Sequence, residues 1–317
     1  VCSILGAGSH FAFWESSLTY EGESIYNYLQ VKENEQEIVL STNVMFGVQS
    51  VTRKDNALSG MYYDYAMAAP LMAGSVEHDR GPHILILGNG SGTYARQCLR
   101  YFPESDITAV EIDQSITDLA YEYFDMPKEV KVTTYDGRAY LQADKEKYDV
   151  IMVDAYQDIS IPFQMASVEF FTLVREHLNK GGVMVVNMNM RASSPDSIND
   201  YLTDTIASVF PCVATIDVEG YTNRELFASE ARFDQTFSQQ SAKISDQELK
   251  PLMQKVGRQM TAYKAPDTTK AKRILTDDRA PVEMLSMRAI DEIIAGELAY
   301  YKKVFKEEGL SGLLDAL

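Results

Sequence analysis

A glycine loop followed by three acids, each at the end of a strand-like run, is the part of this chain whose residue types and spacing could do chemistry. Ile84-Leu85-Ile86-Leu87 breaks into Gly88-Asn89-Gly90-Ser91-Gly92, and about twenty residues later Val110-Glu111-Ile112-Asp113 closes a second run. Gly88, Gly90 and Gly92 let the backbone turn sharply and approach a ligand with no Cβ in the way. A carboxylate at Glu111, beside the same crevice, can accept both ribose hydroxyls of a nucleoside. In Gly88-x-Gly90-x-x-Thr93-Tyr94 bulk stands where a dinucleotide fingerprint takes a third small residue, so the pattern favours the sulfonium nucleoside S-adenosylmethionine over a dinucleotide. Asp136, followed by Gly137, closes a third run and is placed to accept from an adenine amino group. Asp154 closes a fourth and faces whatever reacts at the sulfonium. Each acid alone also reads as a turn or a helix N-cap; three at the ends of successive strands read as a site.

The elements that must hold these residues are buried parallel strands alternating with helices, a doubly wound Rossmann-like sheet with ligands at the strand carboxyl ends. Strands are predicted over residues 84–87, in a second run ending at 110–113, and over 131–136, 148–154 and 183–190, with a helix over 197–210 and a closing β-pair within 212–228. Residues 20–55 alternate apolar and polar around turn-like segments, the mark of β-hairpins. A tyrosine-rich helix follows over 60–72, and 76–82 is a charged linker. Helical spacing puts Tyr62 and Tyr65 side by side with Tyr63 pointing elsewhere, so at least one of them need not be core. From residue 235 the pattern turns helical, interrupted at 276–283 by a stretch read as an ordered turn that docks the last helices. The expected organisation is an N-terminal segment (1–19), a β-hairpin domain with its linking helix (20–75), a nucleoside-binding catalytic domain (76–234) and a helical C-terminal extension (235–317).

Composition agrees with an enzyme of this shape. The 317 residues, 45% hydrophobic and 24% charged, are enough for one large core and a smaller appended one. A formal net charge of −17 argues against nucleic acid as a partner, because duplex binding rests on phosphate neutralisation by Lys and Arg. Cys2, Cys98 and Cys212 and the four histidines His10, His78, His83 and His177 show no ligand spacing, so no metal is expected. Residues 1–13 are apolar but too short to span a bilayer or to form a complete signal peptide. Initiator removal or a domain cut from a longer membrane-anchored protein would each explain a chain starting at Val1.

The ordered set of segments resembles the spermidine synthase family of aminopropyltransferases. Glu23-Ser24-Ile25-Tyr26-Asn27-Tyr28-Leu29-Gln30-Val31, Val48-Gln49-Ser50, and the segment from Met61 to Leu71 with its Tyr62-Tyr63-Asp64-Tyr65 are similar to the family's N-terminal signatures. The glycine loop, Glu111-Ile112, Asp136-Gly137 and the strand ending in Asp154 follow in the family's order. The resemblance covers about residues 20 to 190 and is nearest to a divergent bacterial branch in which such a domain follows membrane helices. It implies a donor contact at Gln49, an acceptor-channel tyrosine at Tyr62 and an adenine cover at Pro162. It also implies a homodimer in the cytoplasm, either free or as the soluble domain of a membrane-attached protein.

Departures from the family pattern bear on the chemistry. Asn89 and Ser91 stand in a loop that in the family resembles Gly-Gly-Gly-Asp-Gly, so the loop acid is gone. Gln157 stands where the second acid of the post-strand motif falls, with Asp158 one place later. The reaction that the resemblance implies is aminopropyl transfer from decarboxylated S-adenosylmethionine to a small-molecule amine. Attack on carbon beside a sulfonium needs a neutral amine, and with a Lys-like pKa of ~10.4 only about one amine in 10³ to 10⁴ is neutral at pH 7. The groups available to take that proton and hold the nitrogen are Asp154, Asp158, Tyr156 and Tyr62. An acid in the loop would repel the carboxylate of intact S-adenosylmethionine, and Ser91 removes that repulsion. A methyltransferase using the intact donor, and a non-catalytic nucleoside-binding sensor, are therefore the alternative readings.

Overall fold

The computed structural model of the chain describes residues 17–43, 48–76, 80–155, 161–189, 191, 194–263 and 273–316. Strands β1 (Leu18–Glu23), β2 (Tyr28–Glu33), β3 (Glu37–Thr42) and β4 (Val48–Arg53) form an antiparallel four-stranded meander. The alternation anticipated for this stretch buries Leu29, Val31, Ile38 and Leu40. They pack on Ile116, Leu119 and Phe124 of the neighbouring α/β unit.

Two five-residue helices, α1 (Tyr62–Ala66) and α2 (Ala68–Met72), replace the single helix expected over 60–72. The sheet unit then runs β5 (His83–Leu87), α3 (Thr93–Tyr101), β6 (Asp106–Glu111), α4 (Gln114–Tyr123), β7 (Lys131–Thr134), α5 (Gly137–Ala143), β8 (Tyr148–Val153), α6 (Val168–Glu176), β9 (Leu178–Met188) and α7 (Ile198–Val209). It closes with β10 (Cys212–Asp217), β11 (Arg224–Ser229), α8 (Asp234–Ala242), α9 (Leu249–Gln259), β12 (Thr261–Tyr263) and the long α10 (Val282–Ala316). A 3-10 turn, Phe163–Met165, precedes α6.

The eight-stranded sheet has the order β12-β10-β11-β9-β8-β5-β6-β7. Strands β5 to β9 pair in parallel, and β11, β10 and β12 complete the sheet antiparallel. β5 lies between β6 and β8, so the chain reverses its winding direction there and opens a crevice at the carboxyl ends of those strands. Both faces of the central strands are covered, which is why β8 is buried along its whole length. One face carries α1, α2, α3, α8 and α9; the other carries α6, α7 and the start of α10.

Two expectations need correction. Tyr62, Tyr63 and Tyr65 are all buried, because α1 is enclosed by α3, α9, β9 and β11 rather than lying on an open surface. The C-terminal region is not wholly helical: β12 joins the sheet edge beside β10, and only that edge pairing makes a strand of a three-residue run. The turn at 276–279 bonds to α5 and to the start of α6. Arg138 donates to both Asp277 oxygens at 2.7 and 2.6 Å, and the Ser167 hydroxyl donates to Asp277 at 2.6 Å.

Candidate active site

The carboxyl ends of β5, β6 and β8 open into one cavity, walled on the far side by Tyr26, Asn27, Leu40, Thr42 and Ser50 of the meander. Asp113 ties the two units together. Its carboxylate accepts from the Ser24 hydroxyl at 2.5 Å, the Asn27 amide at 3.1 Å and the Ser115 N–H that it caps at the start of α4.

Gly88 leaves β5 with φ +91°, and a Cβ there would lie 2.4 Å from the Asp154 carbonyl oxygen. Only glycine lets the loop pass the end of β8. Glu111, at the tip of β6, is buried in the cavity wall. One oxygen accepts the Gly90 N–H at 2.9 Å and the other the Asp113 N–H at 3.1 Å. Burial raises its pKa, and those two N–H groups oppose the shift. Each oxygen keeps lone-pair capacity for a hydroxyl.

Asp136 caps α5, accepting from the Ala139 N–H at 2.8 Å. Cap and cavity residue are thus the same group, since Asp136 lines the cavity with Tyr135, Gly137 and Ile112. Pro162, Gln164 and Met165 form the opposite lip.

Asp154 emerges from β8 against Leu87, to whose carbonyl its N–H donates at 2.8 Å. Its Oδ2 accepts from the Tyr62 hydroxyl at 2.6 Å and its Oδ1 from the Asn187 amide at 2.8 Å. Burial pushes the Asp154 carboxyl up to about 7, against the pull of these two donors. The Tyr62 phenol is held well above 10, first by burial and then by the Asp154 charge, so it stays protonated at neutral pH.

The cavity brings together Tyr62, Gly88, Gly90, Glu111, Ile112, Asp136, Gly137, Asp154 and Pro162. Ser91 is not in its lining: the side chain is buried with its hydroxyl 2.6 Å from Ser50 Oγ and 3.0 Å from Thr93 Oγ1, beneath the loop. Gly92 also lies outside the lining, with φ +80° over Met126. Gln49 lies within β4, beside Ser50. Tyr156 and Asp158 fall outside the described residues, as does Gln157. Sequence reasoning missed Asn187. Its signal was a lone polar residue near the carboxyl end of an otherwise apolar strand, Val183-Met184-Val185-Val186-Asn187. Among the described residues, no group of three or more His, Cys, Asp or Glu could hold a metal ion, and no helix is long and apolar enough to cross a membrane.

Sheet, crevice and strand-end acids together define a Rossmann-like α/β fold whose cavity is lined by carboxylates at the strand ends. The spermine/spermidine synthase domain matches residues 66–219. A probable polyamine aminopropyl transferase of Bifidobacterium longum is 56% identical over 322 aligned positions, covering 97% of this chain and 71% of that protein. A polyamine aminopropyltransferase of Vibrio vulnificus is 29% identical, covering 66% of this chain and 70% of its own length. Among solved structures, a spermidine synthase in complex with the transition-state analogue AdoDATO superposes with a TM-score of 0.59 at 19% identity, covering 73% of this chain and 80% of that one. Human methyltransferase-like protein 13 in complex with SAH, TM-score 0.50 at 22% identity over 66% of this chain and 96% of that one, shares the fold alone. The chain belongs to the spermine/spermidine synthase family. Its membrane-linked branch, expected from the sequence, gains no support from these relatives.

Proposed function

We propose that the protein transfers an aminopropyl group from decarboxylated S-adenosylmethionine to a small-molecule amine. The observation that carries this reading is the Tyr62–Asp154 pair, which lines the same cavity as Glu111 and Asp136 and is held from behind by the Asn187 amide. Glu111 takes the ribose hydroxyls, and Asp136 and Pro162 hold the adenine. The donor's sulfonium then faces Asp154.

The chemistry follows from the charge states. The acceptor arrives as an ammonium, whose proton passes to the ionised Asp154; a carboxyl pKa of about 7 makes this residue a far better base than an ordinary aspartate. Tyr62, still protonated, and Asn187 fix the carboxylate from both oxygens. The freed nitrogen lone pair attacks the methylene beside sulfur, the carbon–sulfur bond breaks with its electrons passing to sulfur, and neutral methylthioadenosine leaves. The product is a secondary ammonium, and Asp154 gives its proton to solvent, which restores the base.

The homologues' names support aminopropyl over methyl transfer. The test is calorimetric titration with the decarboxylated donor, the intact donor and methylthioadenosine, together with turnover on putrescine. Tighter binding of the decarboxylated donor with release of methylthioadenosine is expected. Exclusive turnover of the intact donor would overturn the reading. Asp154→Asn is expected to lower turnover by about 10² or more while sparing methylthioadenosine affinity; full activity in that variant would remove Asp154 as the base.

A further inference from the structure

The long helix α10 docks by one face and leaves another bare. Val282, Leu285 and Ala289 are buried against the sheet unit, and the side of the helix turned away from them carries Met284, Met287, Ile294, Leu298 and Phe305. All five are exposed, from 39% at Ile294 to 57% at Met287. Their separations of three, four and seven residues set them in one stripe. It is ~32 Å long at 1.5 Å per residue, and Gly309, with φ +70°, ends the regular helix just beyond it. Contiguous apolar patches of this extent are rare on proteins that work alone.

The stripe matches a copy of itself. Met287, Asp291, Ile294, Leu298, Tyr301 and Phe305 follow the alternating four-three spacing of a coiled-coil seam. Laid antiparallel on a second copy about the point between Ile294 and Leu298, Met287 meets Phe305, Ile294 meets Leu298, and Asp291 meets the Tyr301 hydroxyl. Ala295, beside that centre, lets the two helices approach closely. Charge selects the orientation. Residues 283–292 carry Glu283, Asp291 and Glu292 against one base, Arg288, whereas residues 302–306 carry Lys302, Lys303 and Lys306 and no acid. Antiparallel packing sets these unlike ends side by side, and parallel packing would set Asp291 on Asp291. Lipid is the poorer occupant, because Asp291 in the stripe is costly in hydrocarbon. Five large, half-exposed side chains on each copy are enough to bury roughly 1,000 Å², the size at which an interface becomes specific.

We propose that this face of α10 is an interface with a second copy of the chain, the two helices packing antiparallel along residues 284–305. None of the stripe residues lines the cavity at the strand ends, so the interface stands apart from the reaction and can be removed without touching it. On one flank Arg288 comes near the second copy's Lys302, a like-charge contact that weakens the pairing and that a single substitution can reverse.

The experiment is sedimentation equilibrium of the full chain over a dilution series, for wild type, Leu298→Glu and Arg288→Glu. Wild type is expected to dimerise. Leu298→Glu sets a carboxylate against Ile294 and is expected to weaken the dimer by about a hundredfold, with its circular dichroism spectrum and melting temperature unchanged. Arg288→Glu is expected to tighten it by about fivefold through Lys302 of the second copy. Orientation is read by disulfide trapping: a mixture of Met287→Cys and Phe305→Cys proteins is expected to give a mixed dimer under mild oxidation, while neither variant alone cross-links more than wild type. A monomeric wild type overturns the proposal, and sedimentation of that monomer with phosphatidylcholine–phosphatidylserine vesicles would assign the stripe to lipid instead. A dimer unchanged in Leu298→Glu places the interface elsewhere and also overturns it. So does weakening by Arg288→Glu, or cross-linking of Met287→Cys alone as readily as the mixture, which would make the helices parallel.

Discussion

Replacing Tyr62 by Phe removes one hydroxyl and leaves the ring in its buried place, so its effect on the base can be worked out. The Tyr62 hydroxyl donates to Asp154 Oδ2 at 2.6 Å and stabilises the ionised form. A hydrogen bond to a charged group contributes about 1.5 to 3 kcal/mol, and one pKa unit corresponds to about 1.4 kcal/mol. Its loss should therefore raise the Asp154 pKa by about one to two units, from about 7 toward 8 or 9. At pH 7 the ionised fraction would fall from about one half to between roughly 7% and 0.6%, a rate loss of about 7- to 80-fold. The sign matters: the deficit is largest on the acid side and vanishes as pH rises past the new pKa. The assay is methylthioadenosine release at saturating donor from pH 6 to 9.5, expressed as the ratio of variant to wild type. The acceptor's own ionisation is common to both enzymes and cancels in that ratio. A ratio that climbs toward one at high pH is expected. A ratio that is low and flat with pH would refute the reasoning, because Tyr62 would then position the acceptor without tuning the base.

Other outcomes follow from the same geometry. Glu111→Ala should weaken methylthioadenosine and every other adenosine-containing ligand by about 1.5 to 3 kcal/mol; unchanged affinity in a folded variant would take Glu111 out of the nucleoside site. Ser91 touches Ser50, which lines the cavity, so Ser91→Asp brings a carboxylate to that wall and should shift the ratio of the two donors' dissociation constants by about tenfold toward the decarboxylated form, or about 1.4 kcal/mol. An unmoved ratio would show that residue 91 does not face the donor's tail. Asp277→Ala removes the fork-to-fork pairing with Arg138 and the Ser167 contact, and should cost about 1 to 2 kcal/mol in denaturant unfolding. Arg138 holds the Asp277 carboxyl below its usual range, so the wild-type advantage should be present at neutral pH and disappear as acid protonates Asp277. An equal deficit at all pH values would assign the contact to packing.

The sequence determined what depends on near neighbours. The apolar runs, the glycine loop after β5, and acids at the tips of β6 and β8 and just beyond β7 are each written in a few consecutive residues, because strand burial and turn chemistry are local requirements. That was enough to anticipate the doubly wound sheet and to name Glu111, Asp136 and Asp154 as residues meeting in one crevice. The tertiary structure decided the rest. Tyr62 reaches Asp154 across 92 positions, and Asn187 reaches it across 33; both contacts exist because β9 pairs with β8 while α1 packs over that edge of the sheet. Ser91 turns toward Ser50 rather than into the cavity because β4 supplies a hydroxyl beneath the loop. β12 is a strand only because β10 offers a free edge. Glu225 follows Arg224 in sequence, and only strand order and register set it in the same row as Asn187 and Asp154. The physical reason is common to all four: local pattern fixes which groups face inward, while strand order and register fix which of them meet.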